Sequence, residues 1–217
     1  MPKFTRVYVI LFVLLVESIG YGQTITLSNK KDTIIDKNQS CRAVLCSDLT
    51  INCHPYLEKY SLGFGWTVEA RFGKRFFTGG NIGLYPNCNL NSSYGYATNK
   101  PKGDYGDLLW INEYRVIDEK ILKINISVSN GFAEINLNDG EHSHYFKLTK
   151  VYNVLATNYF YSFQPGLNVM LDVFGKNSNA KLFLKSNYNF MFGSASFLKA
   201  SDFNAFLFGI GIRGEFL

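Results

Sequence analysis

The sequence lacks any apolar run long enough to cross a membrane as a helix. Its longest, Val7 to Val16, holds ten residues, whereas a hydrocarbon core needs about 20. It also lacks a cluster of basic residues. The 22 Lys and Arg are spread along the chain and leave a net charge of +5, so no basic face for nucleic acid forms. No Gly-x-Ser-x-Gly elbow is present to support a serine hydrolase. Gly73-Lys74-Arg75 has no Walker spacing around it and is not a phosphate loop. The spacing of Cys41, Cys46, Cys53 and His54 matches no common zinc site, so no metal and no cofactor is expected. Tryptophan is scarce, with 2 residues against 19 Phe and 14 Tyr.

What is present begins with an export signal. Lys3 and Arg6 form a positive n-region, Val7 to Val16 an apolar core, and Gly20-Tyr21-Gly22 a small-residue cleavage site. Residues 1–22 are therefore read as a signal peptide removed before Gln23. The remainder is enough for one domain. In an exported chain the four cysteines Cys41, Cys46, Cys53 and Cys88 imply two disulfides, with three possible pairings.

From Tyr60 onward the apolar residues recur every second position. Tyr60, Leu62, Phe64, Trp66, Val68, Ala70 and Phe72 share one face. Ser61, Gly63, Gly65, Thr67, Glu69 and Arg71 share the other. That is the period of a strand. Its thirteen residues exceed the usual five or six of a globular strand and fit a tilted strand crossing a bilayer. The last stretch repeats the pattern. Phe206, Phe208, Ile210, Ile212, Gly214 and Phe216 oppose Leu207, Gly209, Gly211, Arg213, Glu215 and Leu217. Similar alternation marks Phe76–Tyr85, Lys120–Ser129, Phe132–Asn138, Tyr159–Phe174 and Ala180–Gly193; Leu108–Ile117 has apolar groups on both faces, and His144–Ala156 alternates imperfectly. Asn130-Gly131 reads as a hairpin turn, Asp139–Ser143 as a second turn, and Pro165 as a bulge or the edge of a membrane zone.

Nine candidate strands follow from Tyr60, and the weaker Gln23–Asp36 supplies a tenth. Residues 23–59 are read as a lead-in and a cysteine-bearing loop, and 60–217 as the folded domain. Apolar-faced long strands, alternating short and long connections and an aromatic final strand resemble the small bacterial outer-membrane β-barrel proteins. The resemblance implies an all-β, antiparallel, up-and-down transmembrane β-barrel of 8 to 10 strands, even in number. It also implies residence in outer-membrane lipid and insertion by the barrel-assembly machinery. Leu217, not an aromatic residue, ends this chain, with Phe216 before it. Lys74-Arg75 and Gly175–Asn179 become periplasmic turns. Asn38–Lys59, Pro86–Asp107 and Ser194–Asn204 become outer loops, with all four cysteines on that side.

On this reading the lumen carries Glu69, Arg71, Lys123, Asp172, Lys181, Lys185, Arg213 and Glu215. In a barrel this narrow such charges pair and fill the interior. Asp139-Gly140-Glu141-His142-Ser143-His144 gathers acid, base and hydroxyl, and as a polar turn needs no chemistry to explain it. The function expected is a non-enzymatic envelope role: structural support, surface contact with an unidentified ligand, or narrow solute passage. The alternatives are a lipid-modifying barrel enzyme and a soluble lipocalin-like or β-sandwich binder.

Overall fold

The computed structural model of the protein describes residues 44–56, 59–146, 149–175, 178–194 and 197–216, without the side chains of 55, 56, 59, 87, 88, 142–146 and 149–152. The signal peptide, the stretch Gln23–Asp36 and Cys41 lie outside these residues. Eight strands follow in order: β1 (Val44–Tyr56), β2 (Lys59–Phe72), β3 (Phe76–Asn89), β4 (Pro101–Asp118), β5 (Leu122–Phe146), β6 (Thr149–Leu171), β7 (Ala180–Phe192) and β8 (Ala205–Phe216). Each pairs antiparallel with its neighbour, and β1 pairs with β8, closing the barrel.

Following partners from Val44 through Arg71, Phe77, Glu113, Ser127, Gly166, Asn187 and Leu207 returns to β1 beside Cys53. The strands are thus staggered by about ten residues around the barrel, which sets a tilt of about 40°. Inward and outward rows keep their parity all the way round. The outer row of β8, from Phe206 to Phe216, then spans about 25 Å, the height of an apolar membrane band. Leu49, Ile51, Leu62, Phe64, Trp110, Phe208 and Ile210 are all more than half exposed on that outer surface. At one end the connections are 73–75, 119–121 and 172–179; at the other they include 90–100 and 193–204, the latter with a 3-10 turn at Ala200–Phe203.

Four expectations are corrected. First, 44–56 is a strand, not a loop. Val44, Cys46, Asp48, Thr50, Asn52 and His54 point inward and are buried. The outward row is diluted by Ser47 and Cys53, which blurs the alternation. Second, the chain does not turn at Asn130-Gly131. Asn130 lies between Trp110 and Phe163, and Gly131 between Leu109 and Ser162, in an unbroken β5. The segments read as two strands on either side of that turn are one, and 144–156 divides between β5 and β6. Nine strands from Tyr60 become seven, and β1 makes eight. Third, Asp139–Ser143 is not a turn but a register shift within the β5–β6 pair, and Pro86–Asp107 shrinks to a loop of 90–100. Fourth, Cys46 and Cys53 are free thiols. They sit on opposite faces of β1, so the four-cysteine brace does not form. Cys88 lies in β3, and nothing is described of its side chain. Pro165 causes no bulge: β6 and β7 keep one register on either side, and the pairing lapses only between Phe163 and Gly166. A residue without an N–H interrupts the ladder there without shifting it.

Candidate functional site

The interior is filled at three heights. Nearest the short connections, Arg213 is fully buried on β8 and grips three carboxylates from three other strands. Its Nε and Nη2 donate to Asp48 Oδ1 and Oδ2 at 2.5 and 2.6 Å, Nη2 to Glu69 Oε2 at 2.5 Å, and Nη1 to Glu113 Oε2 at 2.9 Å. The Phe183 ring centroid lies 4.9 Å from its guanidinium carbon. Glu113 also accepts from Asn125 Nδ2 at 2.6 Å and from Asn168. A second buried cation, Arg115, donates to Asn125 at 3.3 Å and Glu215 at 3.3 Å and stacks 4.6 Å from the Phe77 centroid. Lys181 pairs with Glu215 at 3.4 Å, and Lys123 and Arg115 share Asp118 at 3.5 and 3.6 Å.

Of the eight charges expected in the lumen, Glu69, Lys123, Lys181, Arg213 and Glu215 belong to this network. Arg71 is half-buried at the rim of the barrel, next to Val44. Asp172 follows β6, and its Oδ1 is buried without a partner. Lys185 lies higher. Asp48, Glu113 and Arg115 were not anticipated. Asp48 was hidden by the loop reading of β1. Glu113 and Arg115 share the inward row of β4 with Leu109 and Ile111, and that mixture masked the face.

The middle height is polar. Asn52, Asn81, Asp107, Gln164 and Lys185 line a cavity of about 10 Å³, room for about one water. Tyr105 donates to Asp107 Oδ2 at 3.0 Å, while Asp107 Oδ1 and both side-chain heteroatoms of Asn187 are buried without partners. Gly166 is required beside it, since a Cβ there would run into the Asn187 amide. Ser162 and Gln164 continue the polar set, linked at 3.1 Å, with Ser162 donating to Asn189 at 2.8 Å.

The height nearest the long loops is apolar. Tyr85, Tyr105, Ile135, Leu137, Phe160, Met191, Leu198 and Phe203 form one buried cluster, and the His54 ring sits 5.4 and 4.9 Å from those of Tyr85 and Tyr105. The β7–β8 loop supplies Leu198 and Phe203, the latter 5.9 Å from Phe160. Above it Phe197 is flanked by Tyr94 and Tyr96 from the β3–β4 loop, at 5.8 and 6.2 Å. Thr98 bonds Asp139 at 2.9 Å, and Gly140 N–H bonds the Lys100 carbonyl at 2.8 Å. Both long loops are therefore fastened over this end. His142 and His144 lie in β5 with their side chains outside the description. Among the described residues no three potential ligands gather to hold a metal.

A closed, eight-stranded, antiparallel up-and-down barrel with a polar, ion-paired interior and an apolar exterior has the fold of the small bacterial outer-membrane β-barrel proteins. A major outer membrane protein from Thermus thermophilus matches with a TM-score of 0.51 at 10% identity, over 81% of this chain and 100% of that one. Neisserial surface protein A matches at 0.49 and 12%, over 80% and 97% of the two chains. Ail, the attachment invasion locus protein of Yersinia pestis, crystallised with the heparin analogue sucrose octasulfate, matches at 0.49 and 9%, over 80% and 97%. No family model matches the sequence, and no curated protein matches it. At 10% identity the likeness to the Thermus protein is one of fold.

Proposed function

We propose that this chain is exported through its cleaved signal peptide, is inserted into the outer membrane by the barrel-assembly machinery, and serves there in a non-enzymatic role at the surface. The observation that carries this reading is the double closure of the lumen. The Arg213 network blocks one end and the apolar cluster around Phe203 the other, with space for about one water between. That filling supports a surface or structural role over solute passage. It fits narrow barrels generally, whose interiors are occupied by side chains.

The surface for contact is the sheet that continues past the apolar band. On β5 the outward row is Ile124, Ile126, Val128, Asn130 and Phe132, apolar but for Asn130, and becomes Glu134 and Asn136 beyond. From Phe132 to the β5–β6 tip the hairpin rises on the order of 30 Å above the band. Its outward row carries a polar ladder, Thr157 to Asn136 at 2.6 Å and Asn136 to Glu134 at 2.7 Å, braced by the buried Asn138, which donates to Asp104 at 2.6 Å. The paired lumen charges Glu69, Lys123, Lys181, Arg213 and Glu215 act, in this reading, as internal supports for that platform.

Fractionation followed by a gel with and without boiling tests the location. The protein is expected in the outer-membrane fraction, with a band that shifts on heating; a soluble protein without a shift overturns the proposal. Purified protein in planar bilayers is expected to show no steady conductance. An ohmic channel would move the assignment to solute passage.

A further inference from the structure

The outer surface of the barrel is not equally apolar on all sides. The wall formed by β8 presents Phe206, Phe208, Ile210 and Ile212. The opposite wall, β4 and β5, interrupts its band with Asn112 and Asn130. Asn112 lies in the middle of the outward row of β4, with Leu108 and Trp110 on one side and Tyr114 and Val116 on the other. Its Oδ1 accepts from Thr78 Oγ1 at 2.8 Å, and among the described residues its Nδ2 donates to nothing. Asn130, the β5 partner of Trp110, is one outward position short of Phe132. Neither its amide nor the Trp110 indole N–H has a partner among the described residues. The contrast with β2 is instructive. There the Trp66 indole N–H donates to Ser47 Oγ at 3.0 Å on the same outer surface. Free amide groups in hydrocarbon cost several kcal/mol unless another group satisfies them.

The stagger of the barrel aligns the two asparagines. Moving two residues along β4 from Asn112 to Trp110 climbs and leans one way; crossing to Asn130 on β5 climbs and leans back. With strands about 4.8 Å apart and tilted about 40°, Asn130 lies almost directly above Asn112, about 8 Å higher along the barrel axis. Two amides on one line parallel to the membrane normal suit a two-fold axis along that line. A carboxamide carries both a donor and an acceptor, so each meets its own copy as a complementary group, as an isologous contact requires.

We propose that the β4–β5 wall is a dimer interface within the membrane, in which Asn112 and Asn130 of one copy hydrogen-bond Asn112 and Asn130 of a second copy. This rests on the outer-membrane reading above. The occupant is a second copy because the polar groups are few, axial and self-complementary. A lipid chain offers them no partner.

The experiment uses the full mature chain with its native cysteines changed to serine, refolded into phosphatidylcholine vesicles at high lipid-to-protein ratio. Asn112→Cys is expected to form an intermolecular disulfide under mild oxidation, and Ile210→Cys, on the opposite wall, is not. In a background without introduced cysteine, Asn112→Leu is expected to weaken dimerisation by about three- to tenfold, the weight of one polar side-chain contact in a bilayer. Equal cross-linking at both positions, none at either, or an Asn112→Leu variant with unchanged association overturns the interface. Heat-shift gels on the same samples report insertion separately. A chain that never enters the vesicles overturns the membrane reading and the dimer with it. An inserted chain that stays monomeric overturns the dimer alone.

Discussion

Arg213 is the only described residue that touches three carboxylates at once. A buried guanidinium serves such a site because its planar fork can address two acceptors in one plane and a third at its flank. Arg213→Ala leaves Asp48, Glu69 and Glu113 facing one another without a counter-charge. It is expected to destabilise the barrel by about 3–5 kcal/mol, the usual cost of breaking a buried ion pair from one side, read as the urea midpoint in detergent micelles. Arg213→Lys keeps the charge but not the fork and should fall between. Outside the barrel, Ile210→Arg sets a cation near mid-band and should cost about 2–4 kcal/mol in the same assay if that wall faces lipid. Of the lower network, Glu69, Lys123, Lys181, Arg213 and Glu215 were legible in the sequence because large apolar groups recur at nearly every second position opposite them. Asp48 was not, since Ser47 and Cys53 thin the apolar row beside it. Nor was the pairing itself: Arg213 and Asp48 are neighbours only because β8 closes onto β1.

At the scale of the element, β5 shows how a true strand imitates a turn. Its inward row is Lys123, Asn125, Ser127 and Ser129, then Ala133, Ile135 and Leu137. Its outward row changes in the opposite sense, from Ile124, Ile126 and Val128 to Glu134 and Asn136. The apolar side therefore passes from even to odd positions just beyond Asn130-Gly131, where Phe132 is the last apolar residue of the outward row. A hairpin inverts faces in the same way, and Asn-Gly is the dipeptide that favours one. The cause here is height. Below that point the strand has a polar lumen and an apolar exterior; above it the strand lines the apolar cluster and leaves the band. Gly131 is needed for close approach and not for turning, because a Cβ would strike the β4 backbone at Leu108 and Leu109. Gly131→Val is expected to cost about 1–3 kcal/mol through the shift it forces. Gly106→Ala, where a Cβ meets only ordinary contacts at 3.6 Å, should stay within about 0.5 kcal/mol. Equal losses in the two variants would refute the packing account of Gly131.

For the molecule as a whole, the sequence conveys the alternation that makes a barrel but not its count. Strand number depends on where faces switch and on how the ends meet, and neither is local. The seam between β1 and β8 joins the first and last described strands, from Leu45 opposite Phe216 to Cys53 opposite Phe208. Every other strand pairs with a sequence neighbour. The closing contact is therefore the one with the longest reach along the chain, and the Arg213–Asp48 bond that locks it spans 165 residues. This gives the molecule a sense of time. Until β8 exists, β1 and β7 are bare edges that invite foreign strands, so a nascent or truncated chain gains no partial barrel by waiting. Edge protection is therefore all or none: seven paired strands leave both edges exposed, and the eighth removes both at once.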